Sequence, residues 1–101
     1  MTGLGKKNIS VYVLRLQGEK YYVGQSKHPD ERIKEHFRGK GSKWTQMHSP
    51  IEVVRVIQTN TSNSRAALEV EKELTVKLMQ IFGRENVRGA GHSACHLANI
   101  P

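Results

Sequence analysis

The chain has 101 residues, a length that predicts one compact domain with a modest hydrophobic core. Lysine and arginine number 16 against 9 aspartates and glutamates, and the resulting net charge of +7 favours a polyanionic partner, nucleic acid before an anionic membrane. The single cysteine excludes an internal disulfide, and no apolar segment is long enough for a signal peptide or a membrane span, so we expect a soluble, intracellular protein of the cytoplasm, nucleoid or nucleus.

The first half of the chain predicts a β-hairpin followed by a helix. Residues 1–8 predict a loose, lysine-containing arm. Residues 9–16, ISVYVLRL, are apolar at nearly every position, which is typical of a strand covered on both faces. A turn at QGE leads to a second strand, KYYVG, that ends at Gly24. The following helix has a proline and two acids in its opening turn, and Ile33 and Phe37 form its apolar stripe.

The second half predicts another strand and a longer helix. Residues 42–50 are ambiguous and include a possible helical turn, whereas residues 51–59, IEVVRVIQT, predict a third strand. The polar run NTSNS offers N-caps for a helix over residues 64–82, and residues 84–101 predict an irregular tail. The order β-β-α-β-α indicates an α+β fold in which helices flank a small three-stranded antiparallel sheet, within a single domain over residues 1–101.

The long helix carries a glutamate on its apolar face. At about 100° per residue, Glu71 lies inside the apolar arc, whereas Glu69 and Glu73 project to the polar side. A carboxylate facing a core is unfavourable unless it is paired, protonated or bound to a metal. Glu71 therefore either accepts a hydrogen bond where the arc meets solvent or binds a divalent cation such as Mg²⁺. The arc consists of Ala67, Leu68, Val70, Leu74, Leu78, Ile81 and Phe82.

The first helix places a guanidinium and an imidazole on one face. Arg32 and His36 are four residues apart, at the edge of the apolar stripe. A guanidinium fork matches phosphate oxygens, and a histidine titrates near neutrality. The pair suits phosphate binding or proton transfer, and a plain surface pair is the alternative.

The placement of Tyr12 and Tyr22 depends on the register of the hairpin. A two-residue turn sets Tyr22 opposite Arg15 and puts the two phenols on different faces. A three-residue turn sets Tyr22 opposite Leu14 and puts both phenols on one face. The pattern leaves both registers open, and a core tyrosine with a hydrated hydroxyl is the ordinary alternative.

Three further features could bind nucleic acid or metal. Residues 32–48 are strongly basic, and Trp44 among them either stacks on a base or anchors the core. The segment RENVRGAG could hold DNA through Arg84, Arg88 and its glycine backbone. The tail has a weak zinc signal that lacks a fourth ligand such as His48, and an ordinary terminal segment is the alternative. The tail residues concerned are His92, Cys95 and His96.

Taken in order, these residues resemble the GIY-YIG nuclease superfamily. Its first signature tripeptide is similar to SVY at residues 10–12, which keeps the tyrosine but not the opening glycine. The second tripeptide is similar to YVG at residues 22–24. The resemblance extends over about residues 9–89 and selects the glutamate that the helical periodicity selects. The family's helical arginine, its following histidine, its metal-binding glutamate and its late asparagine correspond, in that order, to Arg32, His36, Glu71 and Asn86.

The resemblance implies a DNA endonuclease that hydrolyses phosphodiester bonds with one Mg²⁺ or Mn²⁺ ion. Glu71 would anchor the metal, and Arg32 would stabilise the charge of the transition state. Tyr12 or Tyr22 would position or deprotonate the attacking water. His36 completes the predicted catalytic set.

The general base is the open point of the implied mechanism. A free phenol has a pKa near 10, so a tyrosine base requires a lowered pKa. His36 and Lys27 are the candidates for lowering it. Gln25 stands where some members of the family have a lysine.

The implied partner is duplex or branched DNA, with no membrane. Its specificity would come from the domain itself, from a homodimer or from a partner protein, in a repair, restriction, phage or mobile-element role. An inactive nucleic-acid-binding module or adaptor with the same fold is the alternative function. The predicted nucleic-acid-binding residues are Lys27, Arg38, Lys40, Lys43, Asn86 and Arg88.

Overall fold

The computed structural model describes residues 7–89, which form a sheet with helices on both of its faces. No helix in this part of the chain is long and apolar enough to cross a membrane. The predicted zinc ligands of the tail lie outside the described residues. The strands are β1 (Ser10–Leu16), β2 (Lys20–Ser26), β3 (Pro50–Gln58) and β4 (Val87–Gly89). The helices are α1 (Pro29–Phe37), α2 (Lys43–Met47) and α3 (Ser64–Phe82), and a 3₁₀ turn follows at Arg84–Asn86.

The sheet confirms the predicted α+β class and corrects the number of strands. Its order is β3-β1-β2-β4, in which β1 is antiparallel to both β2 and β3. The prediction of three antiparallel strands missed β4, which pairs parallel to β2. At three residues, β4 is too short for a period-two pattern to identify, and its pairing partner is distant in the sequence. Residues 84–89, which were predicted to begin an irregular tail, therefore contribute a turn and a strand.

The hairpin between β1 and β2 adopts the three-residue register. Leu16 pairs with Lys20, and Leu14 pairs with Tyr22, so the register that sets Tyr22 against Arg15 is excluded. Gly18 takes a φ of +78° in the turn, a conformation that glycine adopts at low cost. Since side chains alternate along a strand, Tyr12 and Tyr22 lie on one face of the sheet.

Two apolar clusters cover the two faces of β1, which is buried on both sides as its composition predicts. One cluster lies between the sheet and α3, and the other lies beneath α1 and α2. Burial of these side chains is the main favourable term in folding. The α3 cluster contains Val11, Val13, Tyr21, Val23, Met79 and Val87. The second cluster, which we call the tyrosine face, contains Tyr12, Leu14, Leu16, Ile33 and Trp44.

The helices turn slightly different faces inward from those predicted. In α1 the buried residues are Ile33 and His36, and Phe37 is 43% exposed. The core thus receives the imidazole of His36, and the phenyl ring of Phe37 stays at the surface. The burial of His36 is favourable because both ring nitrogens have hydrogen-bond partners in the core. In α3, Ile81 is 65% exposed, because the inward line runs at every fourth residue. That line consists of Ala67, Glu71, Thr75 and Met79.

The N-terminus of α3 depends on one side chain. Asn63 Oδ1 accepts hydrogen bonds from the backbone N–H groups of Arg65, at 2.8 Å, and Ala66, at 3.1 Å. We expect Asn63→Ala to lower the free energy of unfolding by about 1 kcal/mol, because those two donors lose their acceptor. Urea titration measures the change. Asn63→Asp should keep wild-type stability, as should Ser62→Ala one residue earlier; an equal loss in Ser62→Ala would contradict the capping role.

Candidate active site

A tyrosine and a histidine meet at the centre of the tyrosine face. The Tyr12 hydroxyl lies 2.9 Å from His36 Nε2, and both residues are buried. The Tyr22 ring lies 6.4 Å from that of Tyr12 and 4.9 Å from the imidazole, between ring centroids. The structure thus brings together three of the five predicted catalytic residues, from β1, β2 and α1.

Two glycines make room for these rings. A Cβ atom on Gly24 would lie 2.6 Å from the Tyr12 hydroxyl oxygen, because Tyr12 and Gly24 are paired across the hairpin. A Cβ atom on Gly41 would overlap the His36 ring. The glycine of the YVG tripeptide is therefore required by contact with the first tyrosine rather than by a turn.

Hydrogen bonds determine the tautomer of His36. The Thr45 hydroxyl donates to the carbonyl of Ser42 at 3.0 Å, so it accepts at 2.9 Å from His36 Nδ1–H. The Nε2 lone pair then accepts a hydrogen bond from the Tyr12 hydroxyl. Burial, reinforced by the nearby charge of Arg32, lowers the pKa of His36 to about 4, so the imidazole is neutral at pH 7.

Both phenols are held in the protonated form. Burial raises the pKa of Tyr12, and the neighbouring Tyr22 and Glu71 raise it further. Burial and Glu71 also raise the pKa of Tyr22. Arg32 is the cation that acts on both phenols in the opposite direction. These effects place Arg32 and Glu71 each within electrostatic range of both phenols.

Arg32 lies close enough to act on both phenols and is partly exposed. Its Nη1 lies 2.6 Å from Glu35 Oε1, and this contact raises the pKa of the guanidinium. The side chain is 38% exposed, so a ligand can reach it. Its position suits the binding of an anionic group beside the tyrosines.

Glu71 is buried, as its place in the helical arc indicates, with 6% of its surface exposed. Its Oε1 accepts a hydrogen bond from Gln25 Nε2 at 3.0 Å. Within residues 7–89 no three acidic, histidine or cysteine side chains form a metal-binding group. One carboxylate nevertheless fits Mg²⁺ or Mn²⁺, because Mg²⁺ sites commonly combine one or two carboxylates with waters and substrate phosphate oxygens.

Four of the predicted nucleic-acid-binding residues are exposed, and they lie close in sequence to Arg32 and His36. Lys40 and Lys43 flank Gly41, which contacts His36, and Ser42, whose side chain interacts with Tyr22. The segment of residues 40–43 therefore borders the site and presents two exposed positive charges. Lys27 and Arg38 are likewise exposed, at the two ends of α1.

The other two predicted nucleic-acid-binding residues are engaged within the fold. Asn86 Oδ1 accepts from Lys20 Nζ at 2.6 Å. Arg88 is buried, donates to the carbonyl oxygens of Arg84 and Val87, and lies 4.1 Å over the ring of Trp44. Trp44 is the core anchor of the two predicted alternatives, since it too is buried.

Sequence reasoning did not identify three residues that support the site. Thr45 orients His36, Gln25 holds Glu71, and Gly41 admits the imidazole. The glycines of the GKGS segment were a signal for close approach of another group. The Thr45 and Gln25 contacts join residues 9 and 46 positions apart and left no periodic signal.

Comparisons with known proteins identify the family that the chain resembles. The family model described as "GIY-YIG catalytic domain" matches residues 8–81. The chain is 30% identical over 77 residues to the UPF0213 protein YazA of Bacillus subtilis, covering 73% of this chain and 76% of that protein. It is 28% identical over 74 residues to the UPF0213 protein NMC1807 of Neisseria meningitidis, covering 73% and 77% respectively. No solved structure gives a significant match.

The buried imidazole predicts a loss of stability in acid. The unfolded chain binds a proton at His36 below pH 6.5, whereas the folded chain does so only near pH 4. As far as His36 is concerned, the protein therefore keeps its full stability above pH 6.5. As the pH falls toward 4, proton binding by the unfolded chain lowers the free energy of unfolding by about 2–3 kcal/mol. Urea unfolding at pH 7 and pH 4.5 should show a smaller drop for His36→Gln than for wild type. Equal drops would contradict the assignment.

Proposed function

Since the chain belongs to the GIY-YIG catalytic domain family, whose members have a nuclease-type function on nucleic acid, we propose that it is a metal-dependent endonuclease that hydrolyses phosphodiester bonds in DNA. The observation that carries the proposal is the Tyr12–His36 hydrogen bond, with Arg32 and Glu71 close enough to act electrostatically on both phenols. These residues would together supply a proton acceptor, an anion-binding group and a carboxylate for a metal ion.

The exposed cations would hold the DNA backbone. Lys40 and Lys43 border the cluster, and Lys27 and Arg38 extend the positive surface along α1. Contacts of this kind neutralise phosphates and carry little sequence information. Asn86 and Arg88 would act by holding Lys20 and β4 in place rather than by direct contact.

Arg32 would bind the scissile phosphate. Its guanidinium can donate to the non-bridging oxygens, whose negative charge grows in the transition state. The contact with Glu35 keeps the guanidinium beside the cluster while leaving donors for the phosphate.

The proton of the attacking water would pass through Tyr12 to His36. As the water oxygen bonds to phosphorus, its proton moves to the Tyr12 oxygen, and the phenolic proton moves along the 2.9 Å hydrogen bond to His36 Nε2. This concerted route does not require a free phenolate, which the raised pKa of Tyr12 disfavours. The proton would rest on His36 only transiently, because burial lowers the pKa of the imidazole to about 4. Tyr22 would position the water.

Glu71 would hold the metal ion, and Gln25 would orient its carboxylate. When bound, Mg²⁺ or Mn²⁺ polarises the phosphate and stabilises the charge on the leaving 3′ oxygen.

Removing either charged group should strongly reduce cleavage. We expect Arg32→Ala and Glu71→Ala to reduce the cleavage rate by at least about 10²-fold, because each removes electrostatic stabilisation of the transition state. Plasmid, branched and single-stranded DNA, each with Mg²⁺, Mn²⁺ or EDTA, are the substrates to compare, and EDTA should stop the reaction.

Arg65→Ala and Glu69→Ala, which change the same residue types at exposed positions of α3, are the matched controls and should cleave at the wild-type rate. Cleavage that persists in both Arg32→Ala and Glu71→Ala would disprove the assignment. Wild type that binds DNA but cleaves none of these substrates would instead identify the binding module of the same fold.

The two tyrosines should respond differently to loss of the hydroxyl. Tyr12→Phe removes the proton path to His36, so we expect a loss of about 10²-fold or more, whereas Tyr22→Phe should cost less than about 10-fold. Single-turnover cleavage rates measure both, with far-UV circular dichroism to confirm folding. The reverse order of effects would assign the water proton to Tyr22.

A further inference from the structure

The strand β3 presents an unusual surface for the edge of a sheet. It lies at one end of the strand order, and β1 is its paired neighbour within residues 7–89. Four of its apolar side chains are between 42% and 51% exposed. The stretch from residue 51 to 57 contains no proline and no lysine, two of the features that protect an edge against pairing, and its two charged residues are of opposite sign. The four residues are Ile51, Val53, Val54 and Val56.

The sequence of this edge is complementary to itself when it is reversed. In IEVVRV, residues 51–56, reversal sets Ile51 against Val56, Glu52 against Arg55, and Val53 against Val54. Apolar residues thus face apolar residues, and an acid faces a base on both sides of the centre. Pairs of these kinds stabilise neighbouring antiparallel strands.

The pairing of β3 with β1 is irregular at two places, and the β-bulge at Val54 makes this register possible. Glu52 pairs with Arg15, and Arg55 pairs with Val13, so two residues that are three apart on β3 share one face of the sheet. In a regular strand, residues three apart lie on opposite faces and could not meet across a two-fold axis perpendicular to the sheet. The extra residue between them, Val54, restores the match.

We propose that β3 is the interface of a homodimer, in which the β3 strands of two copies pair antiparallel about an axis between Val53 and Val54. Glu52 of each copy then faces Arg55 of the other. The Glu52 carboxylate already contacts Arg15 at 2.6 Å and is 54% exposed, so it retains acceptor capacity for a second guanidinium.

A second copy of the chain can bind at this edge despite its positive charge. Two chains of charge +7 repel each other in general, and the two Glu52–Arg55 pairs supply local attraction where the strands meet. An axis perpendicular to the sheet keeps the two tyrosine faces on the same side of one continuous eight-stranded sheet, built from the four strands of each copy. Association does not depend on the proposed nuclease activity and is tested without DNA.

Sedimentation of the full chain at about 100 μM tests the proposal. We expect wild type to sediment at twice the mass of one chain. Glu52→Arg and Arg55→Glu should each sediment as single chains, because each sets like charges opposite one another across the axis. An equimolar mixture of the two variants should recover the dimer, since arginines at positions 52 and 55 of one chain then face glutamates at positions 55 and 52 of the other.

The controls carry the same changes of charge elsewhere on the surface. Arg65→Glu and Glu69→Arg, at exposed positions of α3, should associate like wild type. Wild type that remains a single chain, single variants that still dimerise, or a mixture that stays monomeric would each overturn the proposal. Should a variant fail to fold, hydrogen exchange of wild type decides the matter: amides between residues 51 and 57 should exchange more slowly at high protein concentration, and unchanged rates would overturn it.

Discussion

The pairing of β1 with β2 is the constraint on which the candidate site depends. The three-residue turn sets Tyr22 opposite Leu14 and Tyr12 opposite Gly24, so that both phenols lie on one face and the Tyr12 ring extends over a position without a side chain. A slip of one residue would move Tyr22 to the α3 face and replace Gly24 with a residue that collides with Tyr12. The helices α1 and α2 then add their groups to a surface that the hairpin has already arranged.

A buried imidazole joins these elements. His36 comes from α1, its Nδ1 partner Thr45 comes from α2, and its Nε2 partner Tyr12 comes from β1. In the series of hydrogen bonds that runs from the Ser42 carbonyl through Thr45 and His36 to Tyr12, each polar group has a partner. This makes the burial of a histidine energetically acceptable. The same hydrogen bonds aim the Nε2 lone pair at the phenol, whereas burial and the charge of Arg32 keep the imidazole neutral.

The surroundings of Glu71 show how one departure from the family pattern changes the electrostatics. Gln25 occupies a position where some members have a lysine, and its amide orients the carboxylate through a neutral hydrogen bond. A lysine ammonium there would offset the charge of Glu71, whereas the amide leaves that charge in place. A carboxylate whose charge is not offset by a neighbouring lysine suits the divalent cation of the proposed function.

The amino-acid sequence by itself determined the elements that have strong local signals: the apolar strand β1, the boundaries of α3, and the identity of Glu71 as an inward carboxylate. The same holds for the family, because the tripeptides and their order are local features. Tertiary structure alone decided the hairpin register, the strand β4, and the burial of His36 in place of Phe37. It also decided that Thr45 and Gln25 support the site. The physical reason is the same in each case: turn length, strand pairing and hydrogen bonding between distant residues depend on which groups meet in space, and neither periodicity nor composition records those meetings.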